Sequence, residues 1–254
     1  MSGHNKWSTI KHKKAAADAK RGRAFSRLAK DITMAAREGG GDADLNPPLR
    51  VAVAAAKAVN MPNDNIDRAI KKGTGELAGD VLVELSYEGY AVDGVAILVH
   101  ALSDNRNRTA ANVRTVFSKN NGTLAATGAV SWLFHRKSRF VVTGEYADEE
   151  KLLELLFEAG ADIEEVTVED GEAEIIGAPE AFGAIVEALE AHGIPVSESG
   201  LTMIPETTVE LTDAGRARQV VRLIETLEDD EDVQQVYSNF SLPEALMETL
   251  AAEG

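Results

Sequence analysis

The chain reads as an α+β protein: an N-terminal three-helix domain followed by two ferredoxin-like α+β domains, one inserted into the other. Three observations predict this. Apolar residues recur at helical spacing through the first 73 residues. From Val81 onward, runs rich in β-branched residues alternate with helical patterns. Residues 139–205 show a complete β-α-β-β-α-β order, which is the split βαβ arrangement of ferredoxin-like folds.

The first helix spans 13–38 and ends at Gly39-Gly40-Gly41. At 100° per residue, Phe25, Leu28, Ile32 and Ala36 share one face, with Lys13, Lys20, Arg23, Arg27 and Lys30 opposite. Asn46, Pro47 and Pro48 start a second helix through Ala58, because Asn caps and Pro suits a first turn. A third runs from Pro62–Asp64 through IDRAIKK to Gly73. Glycines 73, 75 and 79 mark a linker, so the helical domain is expected at 1–79. VLVELSY (81–87) and GVAILVHAL (94–102) are strands flanking an Asp93-Gly94 turn. A helix is expected over 109–119 and a strand at 129–134. In 139–205 the elements are RFVVTG, DEEKLLELLFEAG, a hairpin at Asp170-Gly171, PEAFGAIVEALEAHG and a last strand within VSESGLTMIP. TTVEL, a helix over 213–228 and VQQVYSNF need partners, as do the strands before 139. The expected division is therefore 80–138 with 206–254 as one discontinuous domain, and 139–205 inserted into it.

Charge is segregated along the chain. Among the first thirty residues, nine cations face one carboxylate, Asp18, a balance of +8 within a chain of net charge −16. A basic end on an acidic body reads as an arm for a polyanion, and nucleic acid is the first candidate. Lys6, Lys11, Lys13, Lys14, Lys20, Arg21, Arg23, Arg27 and Lys30 are the candidate phosphate contacts, since several cations on one surface displace counterions. Trp7 has two readings: a plane on which an unpaired base stacks, or a plug that pins the tail to the bundle. The arm itself also has three: a nucleic-acid surface, a solvated helix face, or a segment docked on the protein's own acidic body. A second cationic spot is SDNRNRT, where Arg106 and Arg108 stand at a strand-to-helix junction. Cations oppose the dipole of a helix N-terminus, so either a bound phosphate or a carboxylate such as Asp104 must offset them.

Signals for enzyme chemistry are missing. There is no GxxxxGK[ST] loop, and GTGELAG (73–79) lacks dinucleotide spacing. The five histidines are scattered and cysteine is absent, so neither a metal site nor a cofactor is expected. Acid runs such as Glu228-Asp229-Asp230-Glu231-Asp232 read as solvated loops. His135-Arg136-Lys137-Ser138-Arg139 reads as a hinge. No apolar run approaches the roughly 20 residues that span a bilayer. The expected location is the cytosol, with no membrane partner.

Seven ordered blocks carry a family likeness: GHNKWSTIKHKKAAADAKRG (3–22), GGGDADLNPPLRVAV (39–53), NMPNDNIDRAIKKGTG (60–75), YEGYAVDGVA (87–96), LSDNRNRT (102–109), TMIP (202–205) and DVQQVYSNF (232–240). With these the chain resembles the YebC/PmpR family, whose mitochondrial relatives include a translational activator of cytochrome oxidase. Asn5 and Thr202 stand where members often have Ser. The resemblance implies three domains, no accepted catalytic residue and a role in gene expression. For bacterial members that role is described as probable transcriptional regulation through DNA. Others are linked to translation, with ribosomal RNA and the stalled ribosome as partners.

Overall fold

The structure, a computed structural model, describes residues 18–79, 81–169 and 171–253. It divides into two compact units. One is built on Trp132–Thr208, and the other on the segments up to Ser131 and from Val209.

In the larger unit the described residues open with three helices, α1 (Asp18–Gly39), α2 (Pro47–Ala58) and α3 (Asn63–Gly73). Ile32 and Ala36 of α1 are buried with Leu49, Ala56, Met61, Ile66 and Ala69, and Phe25 and Leu28 pack on the same cluster. This is the apolar face expected from the wheel. Asn46 both caps α2 and closes α1. Its Oδ1 accepts from the Leu49 N–H at 3.1 Å, while its Nδ2 donates to Ala35 O and Gly40 O at 2.8 Å each. Gly73 ends α3 against α1, where a Cβ would lie 2.4 Å from Thr33 O. This glycine is required by close helix packing, not by a linker.

A four-stranded antiparallel sheet follows in the same unit, ordered β3-β1-β2-β9. It comprises β1 (Val83–Tyr90), β2 (Ala96–Ser103), β3 (Thr123–Leu124) and β9 (Val233–Ser238). Asp93 and Gly94 both take positive φ, 59° and 76°, as a tight two-residue hairpin turn demands. Helices α4 (Arg106–Lys119) and α7 (Ala214–Glu228) supply Val113, Phe117, Val220, Ile224 and Leu227 to the core. Gly89 admits the Phe117 ring, which would meet a Cβ at 2.5 Å. The short β8 (Val209–Glu210) precedes α7, and a C-terminal helix, α8 (Glu244–Glu253), was not expected from the sequence.

The smaller unit has strand order β5-β6-β4-β7, the ferredoxin-like arrangement. Its elements are β4 (Phe134–Thr143), α5 (Glu149–Glu158), β5 (Ile163–Glu169), β6 (Glu172–Gly177), α6 (Phe182–Ala191) and β7 (Val196–Pro205), with β10 (Phe240–Ser241) added from the distal chain. Phe140, Val142 and Ile175 of the sheet meet Leu152, Leu156, Ile185 and Leu189 of the two helices.

Two expectations are corrected. The strand expected at 129–134 does not form before Phe134, where β4 starts; Ser131–Leu133 is a 3₁₀ turn. The reason is Glu88, buried in β1, whose carboxylate accepts from the N–H groups of Gly128, Val130 and Ser131 at 2.6–2.8 Å. Those donors are consumed by a side chain instead of a ladder. Burial alone would raise the Glu88 pKa, but these bonds outweigh it and hold the carboxyl below its usual range. The 135–139 cluster is not a hinge either. It lies within β4, where Lys137 meets Glu164 at 2.6 Å and Arg139 meets Glu174 and Glu198 at 2.6 and 2.9 Å. Glu88→Ala would strand three N–H groups and should cost about 3 kcal/mol. Urea unfolding measures this; a loss under about 0.5 kcal/mol would show that the 125–131 loop is ordered by something else.

Candidate nucleic-acid interface

The two cationic spots that look separate in the sequence meet at one carboxylate. Asp232, 3% exposed, ends the acidic run after α7 and immediately precedes β9. Its Oδ1 accepts from Lys30 Nζ at 2.8 Å, and its Oδ2 from Arg108 Nη2 at 2.8 Å. The hydroxyls of Thr109 and Ser103 reach the same Oδ2 at 2.8 and 3.0 Å. Lys30 Nζ completes its donors on Leu102 O at 3.0 Å and Glu231 O at 2.8 Å. Arg108 also holds Asp104 at 2.7 Å. Burial opposes ionisation of Asp232, but the bonds from Lys30, Arg108 and Thr109 prevail and hold its carboxyl far below the usual range.

Local sequence explains the convergence. Asn105 caps α4 by accepting from the Arg108 N–H at 3.0 Å, so the helix starts at Arg106, a turn earlier than expected. That places Arg106 and Arg108 in its first turn. For Arg108, the charge that offsets the helix dipole is carboxylate, from Asp104 and Asp232, as one of the two sequence readings held. Arg106 is exposed and has no carboxylate partner among the described residues.

The expected outward face of α1 therefore needs revision. Arg23 pairs with Asp229 at 2.9 Å, an exposed contact worth little on its own. Arg27 is half-buried, with its guanidinium pKa lowered by desolvation and its Nε without a hydrogen-bond partner. Lys30 is committed to the Asp232 node. The wheel had put these three side chains opposite the apolar face correctly, but the acidic loop packs against that side. The 228–232 run is thus a docking element rather than a solvated loop. Lys20 and Arg21 fall within α1 by their backbone, and Lys6, Trp7, Lys11, Lys13 and Lys14 lie outside the described residues.

Beside the node opens a cleft of about 820 Å³. α1 contributes Phe25 and Lys30, α3 contributes Asn65, Arg68 and Lys72, and the facing wall carries Asp104, Asn112, Asp230 and Glu231. Arg68 and Lys72, one turn apart on α3, are exposed without a carboxylate partner among the described residues. Sequence reading missed them. The signal was present in IDRAIKK, where Ile66, Ala69 and Ile70 turn inward and so leave Arg68, Lys71 and Lys72 outside. Among the described residues no group of three or more His, Asp or Glu is placed to hold a metal, and no helix is long and apolar enough to cross a membrane.

Comparison with known proteins gives this geometry its context. The model of the TACO1/YebC protein N-terminal domain matches residues 5–76, and that of the TACO1/YebC second and third domain matches 82–240. The chain belongs to the TACO1/YebC family. A probable transcriptional regulatory protein of Desulfotalea psychrophila is 51% identical, over 99% of this chain and all of that one. Its counterpart in Geobacter sulfurreducens is 52% identical over 98% of this chain and all of its own length. The crystal structure of a conserved hypothetical protein, Aq1575 from Aquifex aeolicus, superposes with a TM-score of 0.80 at 47% identity. It covers 92% of this chain and 96% of that one.

Two carboxyl groups of this region should respond to pH in opposite directions. Asp232 titrates below its unfolded value, so its contribution to stability is complete above about pH 4 and drains away as pH falls further. Asp232→Asn should cost roughly 3–5 kcal/mol at pH 7, read by urea unfolding, and flatten the acid limb. An unchanged acid limb would contradict the assignment. Asp31, on α1, is pushed up to about 6 by burial, against the opposing pull of Arg27 and Lys30. Its favourable share is complete below about pH 4 and lost as pH rises through 6. Asp31→Asn should therefore stabilise the protein at pH 7.5 by on the order of 2 kcal/mol and do little at pH 4. Equal effects at both pH values would refute the shift.

Proposed function

We propose that this protein is a nucleic-acid-binding regulator of gene expression that contacts DNA through its basic N-terminal domain. It acts in the cytosol by binding, not by catalysis. The observation that carries this reading is the distribution of uncommitted cations. Arg68, Lys71, Lys72 and Arg106 are exposed without carboxylate partners among the described residues, in a chain whose first thirty residues carry a balance of +8. Residues 1–79 hold fifteen Lys and Arg against eight Asp and Glu, a balance of +7, whereas 139–205 stand at −15. Phosphate contacts orient such a protein and supply most of its affinity. The names of the relatives, probable transcriptional regulatory proteins, agree with that role.

A second reading, an RNA-associated translation factor at the ribosome, draws support from the cleft. Phe25, Asn65, Arg68 and Asn112 line it together and bring an aromatic side chain, two amides and a guanidinium to one cleft. That set suits unpaired nucleotides better than a closed duplex. The commitment of Arg23 and Lys30 to the protein's own acids also argues against α1 as a groove-reading helix.

Anisotropy titration of labelled duplex DNA and of single-stranded RNA tests both. If about five phosphates are engaged, the log–log salt slope should be roughly −4 to −5 on duplex and shallower on a single strand. A slope near zero removes the electrostatic basis. Replacing Arg68, Lys72 and Arg106 together by Glu should weaken binding at least about tenfold, with the melting temperature almost unmoved. Crosslinking in cells, with sequencing of both DNA and RNA, then separates the readings by whether promoter DNA or ribosomal RNA is enriched.

A further inference from the structure

The smaller unit carries charge of the wrong sign for nucleic acid. Between residues 139 and 205, Arg139 and Lys151 stand against seventeen Asp and Glu. On its helix α5 an apolar pair faces outward: Phe157 is 83% exposed and Leu153, one turn earlier, 38%. Their neighbours Leu152 and Leu156 are buried in the core, so the helix has its inner stripe filled and a second one left over. Leu153 and Phe157 are separated by four residues and lie on one strip of surface. Glu149, Glu150, Glu154 and Glu158 flank that strip, exposed and without a cationic partner among the described residues. Lys151, the helix's one cation, is tied to the capping Asp148 at 2.8 Å. The last turn contains no basic residue, and Glu158 stands there against the negative end of the helix dipole. This is a local cost that a cation from outside would offset.

We propose that the outer face of α5 is a docking surface for a lysine- and arginine-rich polypeptide segment that carries apolar side chains of its own, such as a basic amphipathic helix. Charge selects this occupant. A second copy would oppose one domain of balance −15 with another, and nucleic acid and anionic lipid are of the same sign as the surface. A basic segment places its apolar residues on Phe157 and Leu153 and its cations on Glu150, Glu154 and Glu158, matching anchor and rim. The inference is independent of the nucleic-acid reading, because it concerns a different unit and the opposite charge.

The test uses the full-length protein and three labelled peptides. One is an amphipathic helix of Lys and Leu, one has the same composition in scrambled order, and one is the Glu and Leu counterpart of the first. Anisotropy should show the first binding tightest, with chemical-shift changes confined to α5 and its neighbours. Leu153→Ser with Phe157→Ser should weaken it about tenfold while the melting temperature holds, since both side chains are exposed. Glu150→Gln with Glu154→Gln and Glu158→Gln should weaken it as well, retaining Leu153 and Phe157. Equal affinity of parent and Ser variant, or of the ordered and scrambled peptides, would reduce the effect to bulk charge and overturn the proposal. So would equal binding of the Glu and Leu peptide. A protein that is dimeric and becomes monomeric in the Ser variant would assign the face to a second copy. Loss of nucleic-acid binding by that variant would assign it to nucleic acid.

Discussion

Burying a carboxylate is costly, and Asp232 is buried to all but 3% of its surface. It persists because two cations and two hydroxyls converge on it from three stretches of chain: Lys30 from the first helix, Ser103 from the end of β2, and Arg108 and Thr109 from α4. Each donor is itself over-determined. Lys30 bonds two carbonyls besides, and Arg108 bonds Asp104. Removing one member of such a set leaves the others desolvated and unmatched, which is why networks of this kind behave as units. The helical domain and the first sheet therefore share a joint that is ionic at its centre. The position of α1 and the mouth of the cleft beside it depend on that joint.

The joint also separates two populations of cations within the larger unit. Lys30 and Arg108 are committed to the buried Asp232, and Arg23 makes an exposed pair with Asp229. Arg68, Lys71, Lys72 and Arg106 project toward solvent. The basic segment that dominates the sequence is thus partly an internal counterion. A count of lysines and arginines overstates the field that an approaching polyanion meets, because a paired charge presents a dipole and an unpaired one presents its full charge.

How far the sequence could reveal this differs from element to element. The apolar face of α1 was legible, since Phe25, Leu28, Ile32 and Ala36 fall on one side by helical periodicity alone and pack on one cluster. The order of strands and helices over 139–205 was legible for the same reason, read at period 2 and 3.6. The fate of the opposite face of α1 was not. A helical wheel gives direction about the helix axis, and it carries no information on a loop two hundred residues away that packs there. Asp232 looked like one more acid in a run of five, because burial is a property of the fold. The apolar look of AVSWLF (129–134) misled in a comparable way. Glu88, forty residues upstream, captures its backbone donors, and no local pattern records such a contact. Arg68 and Lys72 are the opposite case, for their outward placement follows from the inward set of α3.

Salt distinguishes the two populations of cations physically. At physiological ionic strength the screening length is about 8 Å, so charges in solvent lose most of their long-range attraction while a buried pair keeps most of its own. Lys30 and Asp232, 2.8 Å apart and largely out of water, belong to the second class. Rising salt thus takes away the attraction of Arg68, Lys72 and Arg106 for an anionic polymer well before it loosens the joint that holds α1. Weakening of binding with salt then reports on the exposed cations, with the architecture around Asp232 still closed. The same reasoning runs in reverse for the acidic face of α5, whose glutamates stand in solvent and whose attraction for a basic segment is screened, while the contact offered by Phe157 is not.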